Sequence, residues 1–286
     1  MRRKFLGNLI LLLVLNLLVK PFWILGIDRT VQNTVGTSEY GFYFAVLNFS
    51  FLFNILLDFG VTTFNNRNIA QNQQLVSKHL SRIIILKVSL FFVYLIFTFS
   101  AALFIDYSPE QIYILFFLAL NQFILSFILY LRSNLSGLHL FKTDSIISVM
   151  DRTLLIVVCG VLLWGNVVNE FRIQYFVYAQ TVSYAITAII ALFLVLRKAK
   201  IRFPKLTGNL PFIIMILRQS FPFALLVLLM AFHNRIDSVM LERMLDEGAK
   251  FSGIYASAFR LLDAANMFAF LFALLLLPIF ARMLKN

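Results

Sequence analysis

Eight long apolar runs separated by short polar connections set the pattern of this chain. They lie at approximately Phe5–Thr34, Glu39–Phe64, Leu80–Ile105, Glu110–Leu131, Val149–Trp164, Ile173–Leu196, Ser220–Leu245 and Ser252–Phe280. Most reach the ~20 residues that a helix needs to cross a hydrocarbon core of roughly 30 Å. They do not alternate apolar with polar residues, as the strands of an outer-membrane barrel do. Helices satisfy their own backbone where water is excluded, so the pattern predicts an all-α, polytopic membrane protein with eight transmembrane helices. The first run is too long for one straight crossing. Pro21 inside it removes a backbone hydrogen bond and crowds the preceding turn, which predicts a kink.

Composition agrees: 61% of residues are hydrophobic and 13% charged. The net charge of +12 would bring nucleic acid to mind, but its placement excludes that partner. The basic residues sit in short connections: Arg2, Arg3 and Lys4 at the start; Arg67, Lys78 and Arg82, with Lys87 just beyond; Arg132, Lys142 and Arg152; then Arg197, Lys198, Lys200, Arg202, Lys205 and Arg218; and Arg282 with Lys285 at the tail. The opposite connections mix Arg29, Arg172, Arg243 and Lys250 with acids. Cytoplasmic loops carry the Lys and Arg excess, so both termini are predicted on the cytoplasmic side of the membrane. The N-terminal pattern mimics a secretory signal, but no small-residue cleavage site follows, which predicts a retained helix. A single cysteine, Cys159, excludes a disulfide within the chain.

Two distant stretches repeat one another. Ile27-Asp28-Arg29 is followed by Gly41-Phe42-Tyr43, and Arg235-Ile236-Asp237 by Gly253-Ile254-Tyr255. Repeats of this kind mark transporters built from two similar lobes with the substrate handled between them. The basic connection with Pro204, Gly208 and Pro211 is the natural boundary. Residues 1–200 then form a six-helix N-terminal lobe, 201–219 a cytoplasmic linker, and 220–286 the first two helices of a second lobe.

Charges inside the apolar runs are costly, roughly 2.5–3.5 kcal/mol each at the bilayer centre, and so should face a cavity or a partner. Lys20, Asp28 and Arg29 fall in the first run, Asp58 in the second, Arg235 and Asp237 in the seventh, Arg260 and Asp263 in the eighth. A rise of about 1.5 Å per residue puts Asp237 and Arg260 at comparable depth in the outer half. Two readings stay open: a structural pair, Arg260 with Asp263 or Asp237, or a functional cluster around a water-filled cavity. Asp58, next to Phe59-Gly60 near the cytoplasmic boundary, reads as structural, a cap or a loop contact.

Several chemistries are absent from the sequence. No Gly-rich phosphate loop is present, and the His and Cys residues lack metal-ligand spacing. No nucleophile–base set gathers at one depth. The outer loops are too short for a membrane-embedded polymerase. The chain is therefore read as a non-enzyme with neither cofactor nor metal, its 33 Phe mostly facing lipid or filling between helices.

Gly36-Thr37-Ser38-Glu39-Tyr40-Gly41-Phe42-Tyr43, then Leu57-Asp58-Phe59-Gly60 and Arg67-Asn68-Ile69-Ala70, resemble the opening of bacterial polysaccharide flippases. These belong to the multidrug/oligosaccharidyl-lipid/polysaccharide exporter superfamily. Ser220-Phe221-Pro222-Phe223, Asp237-Ser238-Val239-Met240 and Gly253-Ile254-Tyr255 resemble the start of its second lobe. The resemblance implies a substrate, a polyprenyl-diphosphate-linked glycan moved to the outer leaflet by alternating access for export of a surface polysaccharide such as an O-antigen. It also implies membrane lipid as surroundings, and a glycan polymerase or glycosyltransferases as partners. Lys20, Arg29, Arg235 and Arg260 would bind the diphosphate, since arginine matches phosphate oxygens in a two-pronged geometry. Asp28, Asp237 and Asp263 would pair those cations or hold a coupling ion. The family has at least twelve helices, so a C-terminally truncated product is expected, with Pro278-Ile279-Phe280-Ala281-Arg282 reading like an interior. Two other functions compete: a cation-coupled drug antiporter of the same superfamily, which would want an aromatic pocket with one or two acids, and a non-transporting membrane scaffold.

Overall fold

The computed structural model describes residues 14–165, 167–168, 170–198 and 210–283. The N-terminal basic cluster, the linker cations Lys200, Arg202 and Lys205, and Lys285 lie outside the described residues. The chain is an all-α polytopic membrane protein. Its helices are α1 (residues 14–35), α2 (Thr37–Leu52), α3 (Val61–Gln71), α4 (Leu75–Phe104), α5 (Pro109–Gly137), α6 (Phe141–Trp164), α7 (Ile173–Lys198), α8 (Leu210–Met244) and α9 (Gly248–Met283). Among the described residues, four single helices are long and apolar enough to cross a membrane: α4 from His79 on, α5, α6 and α7. The bent pair formed by α2 and α3 makes a fifth. At about 1.5 Å per residue, α8 and α9, with 35 and 36 residues, have the length to cross as well.

The first helix matches the predicted pattern and three others depart from it. The first is irregular as expected, and the irregularity is a π-helical segment, Trp23–Asp28, starting just past Pro21. The second run is not one helix. It breaks after Leu52, passes through a 3-10 turn at Asn54–Leu57, and resumes at Val61 with a 55° bend. Phe59 (φ 44°) and Gly60 (φ 76°) take the left-handed conformation there, which glycine adopts without steric cost. The fifth helix starts at Phe141, well before Val149. Lys142 was placed in a connection but stands in the first turn of this helix, where Asp144 is buried and takes a hydrogen bond from Arg132 Nε at 2.7 Å. That pairing lets a charged first turn pack against α5. α8 begins at Leu210, ahead of the predicted Ser220.

Packing makes α5 the axis of the first bundle, in contact with α2, α3, α4, α6 and α7. Ser108 and Gln111 cap its start reciprocally, the Ser108 amide donating to Gln111 Oε1 at 2.9 Å and the Gln111 amide to Ser108 Oγ at 3.3 Å. α2 is the seam of the molecule, because α8 and α9 pack against it and against each other. At the predicted outer end the repeated glycines meet. A Cβ on Gly41 would overlap the Ala249 carbonyl, and one on Gly253 would overlap the Thr37 carbonyl. Small residues let membrane helices approach backbone to backbone in this way. Gln32 Nε2 reinforces the contact by donating to the Gly253 carbonyl at 2.7 Å and to Ser257 Oγ at 2.9 Å.

Candidate functional site: a charged cavity inside the membrane region

Beneath that glycine contact lies a half-open cavity of about 330 Å³, lined by α1, α2, α5, α6, α7, α8 and α9. Four cations line it, Lys20, Arg152, Arg235 and Arg260, against two carboxylates, Asp28 and Asp263. It is at the small end of ligand pockets, which run roughly 300–1,000 Å³. A charged head group fits, and a whole lipid-linked sugar chain does not.

Each arginine is held by its flat face. Arg235 lies over the rings of Phe51 and Phe259 at 5.0 and 5.1 Å, and its Nη1 donates to Asn48 Oδ1 at 3.1 Å. Arg152 lies over Trp23 and Tyr184, both at 5.6 Å, with Nη1 donating to the Tyr184 hydroxyl at 2.9 Å. Arg260 lies over Tyr40 at 5.2 Å and pairs through Nε with Asp28 Oδ2 at 2.9 Å. Arg152 also lies 3.7 Å from Asp151, so two of the three arginines have a carboxylate beside them, while the ring faces stabilise each guanidinium and leave part of its N–H edge for other acceptors. Among the described residues, the buried Nη2 of Arg260 has no hydrogen-bond partner, and Lys20 makes no ion pair.

Asp28 joins the parts. The Tyr40 hydroxyl donates to it, 2.8 and 2.9 Å from its two oxygens, while Arg260 reaches it from α9. Arg260 is thus in an ion pair, but its partner is Asp28 and neither Asp263 nor Asp237. Depth along one helix said nothing of which neighbouring helix would face it.

Of the seven residues singled out in sequence, five line the cavity: Lys20, Asp28, Arg235, Arg260 and Asp263. Arg29 and Asp237 are exposed and lie outside its lining. Asp237 instead accepts from the Tyr255 hydroxyl at 3.3 Å. The repeat therefore brings its glycines together but gives its two aspartates different surroundings. Arg152 was missed because it was assigned to a basic connection, whereas it stands inside α6. The aromatic rings that cover the guanidinium groups were taken for filler. The missed signal was polar residues deep in apolar runs: Asn121, Gln122 and Gln180 all line the cavity.

Asp58 and Lys87 lie apart from this cavity. Lys87 is fully buried, not at a loop edge, and pairs with Asp58 at the break between α2 and α3. Asp58 also accepts from the Thr62 hydroxyl and from the Thr62 amide at 3.4 Å, so it anchors the start of α3.

No curated protein and no solved structure matches the chain. A family model described as "Polysaccharide biosynthesis protein" matches residues 5–284. A match over nearly the whole length makes this chain a member of the polysaccharide biosynthesis protein family.

Proposed function

We propose that the chain takes part in moving a polyprenyl-diphosphate-linked oligosaccharide across the bacterial inner membrane, for export of a surface polysaccharide. The observation that carries the reading is the cavity's excess of cations, three of them arginines with covered faces and hydrogen-bonding edges. A diphosphate is a polyanion with oxygens spaced for such forks, and in a low-dielectric site each charge-assisted hydrogen bond is strong. Arg260 pairs with Asp28 and Arg152 with Asp151 at 3.7 Å, so even with Asp263 the carboxylates are one short of the four cations. The rings and the two acids would suit a drug antiporter as well, but four cations in the lining would repel a cationic drug. The family match supports export of polysaccharide in general.

Alternating access supplies the cycle. The Gly41–Gly253 contact and the Gln32 clasp close the predicted outer end over the cavity. Release outward requires α9 to part from α1 and α2, breaking the Arg260–Asp28 pair on the way. An arriving anion competes with Asp28 for Arg260 and so weakens the same link. With both termini cytoplasmic, the glycan enters from the cytoplasmic leaflet. The chain catalyses no covalent step in this reading, and glycosyltransferases or a polymerase would act before and after it.

The test is glycan export in cells that depend on this chain. Arg260→Ala should stop export; because it leaves Asp28 without its cation, the paired Arg260→Ala/Asp28→Asn protein should recover membrane abundance but not export, and Arg260→Lys should restore export only in part. Normal export by a stably expressed Arg260→Ala protein would refute the anion-binding role.

A further inference from the structure

A broken helix inside a membrane leaves backbone carbonyls without their usual donors, and such breaks are where transporters hold coupling cations. The break between α2 and α3 exposes the carbonyls of Ser50 and Leu57. Tyr94 satisfies the first, its hydroxyl donating at 3.0 Å. The second receives Lys87 Nζ at 3.1 Å and Ser126 Oγ at 3.1 Å. Lys87 Nζ also donates to Ser126 Oγ at 2.8 Å and to Asp58 Oδ1. The ammonium therefore has three oxygen acceptors for its three N–H bonds: a backbone carbonyl, a carboxylate and a hydroxyl. These are oxygen ligands of the type that hard cations take. The charge also balances, one carboxylate against one ammonium. Asn54 in the same turn donates to Gln122 Oε1 at 3.3 Å, and Gln122 lines the cavity.

We propose that this break is a monovalent-cation site occupied permanently by the chain's own Lys87 ammonium. The site is a cage of Leu57 O, Asp58 Oδ1 and Ser126 Oγ, and its class of ligand is a small monovalent cation. With the lysine in place no ion from solution enters, and the break stays bent at the same angle through the cycle. Removing the ammonium opens the site to a free cation. The proposal is independent of the cavity's substrate.

Full-length Lys87→Ala protein tests this in lipid nanodiscs, with melting followed in choline, potassium, sodium and methylammonium chlorides at equal ionic strength. Methylammonium is the probe closest to the missing head group. The wild-type Tm should be the same in all four salts. The Lys87→Ala Tm should be lower in choline and rise saturably with methylammonium, by about 3–5 °C at ten times its Kd. Sodium or potassium should give a smaller rise, because the cage offers three protein oxygens. The double variant Lys87→Ala/Asp58→Asn should lose the response. If Lys87→Ala cannot be purified in choline, methylammonium during extraction should restore its yield. A Lys87→Ala protein that melts alike in all salts, a yield that methylammonium does not restore, or a double variant that responds equally would each overturn the proposal.

Discussion

Two groups of buried charge in this molecule have opposite character. At the helix break, Lys87 and Asp58 saturate each other, with Ser126, Thr62 and the Leu57 carbonyl taking the remaining hydrogen bonds. In the cavity, cations outnumber carboxylates, and Arg260 keeps a buried nitrogen without a partner. A membrane protein tolerates buried charge when it is paired, and spends stability on unpaired charge only where that charge is used. On that difference the first group is read as structural and the second as the proposed binding site.

The largest stability effect should come from breaking the saturated pair. Asp58→Ala leaves the Lys87 ammonium buried and unpaired, and truncating one partner of such a pair costs about 3–5 kcal/mol. Asp58 is partly exposed, so the lower end is expected. The change should appear as a fall in Tm and in membrane abundance, and adding Lys87→Met should recover part of it. Equal stability of Asp58→Ala and wild type would remove the distinction between the sites.

Cavity variants should do the reverse, losing function while keeping the fold. Arg152→Lys keeps the charge but gives up the flat face over Trp23 and Tyr184 and the hydrogen bond to the Tyr184 hydroxyl. A cation–π contact of this kind is worth about 0.5–2 kcal/mol, so export should fall in part at unchanged abundance. A drop in abundance that matches the drop in export would place Arg152 with Lys87 as structural.

The roof of the cavity comes next. Gly41→Val forces α9 away from α2, and such overpacking costs about 1–3 kcal/mol. Ser252 is fully buried beside this contact. A Ser252→Cys probe should therefore react with an impermeant thiol reagent faster in the Gly41→Val background than alone. Unchanged reactivity would mean that the glycine contact does not close the outer end. The smallest effect belongs to the exposed Lys250–Glu247 pair: Lys250→Ala should shift stability by less than about 0.5 kcal/mol.

How much of this was legible in the sequence depends on the range of the interaction. The helices were visible because apolar length is a local property. The break at Phe53–Gly60 was not recognised, although Asn54, Asp58 and Gly60 lay within an apolar run, because the partners, Gln122 for Asn54 and Lys87 for Asp58, come from other helices. Lys20, Asp28, Arg235, Arg260 and Asp263 were found because charge in an apolar run is itself improbable. Arg152 stood close enough to a polar connection to be assigned to it. Arg29 and Asp237 were taken in by the same rule that found the others, since periodicity gives a depth but not a facing. The Arg260–Asp28 pair spans 232 residues of chain, and no spacing rule predicts it.

The central claim is that the cavity is an anion site, and the most direct measurement is ligand binding to purified protein in nanodiscs. Polyprenyl diphosphate, polyprenyl monophosphate and uncharged polyprenol would be compared on wild type, Arg260→Ala and the control Arg29→Ala. The account predicts that diphosphate binds most tightly and polyprenol least. Arg260→Ala should weaken the diphosphate by about 10–100-fold, the equivalent of one charge-assisted hydrogen bond, while Arg29→Ala binds as wild type does. Equal affinity for diphosphate and polyprenol, or an Arg260→Ala protein that binds diphosphate as wild type does, would contradict it.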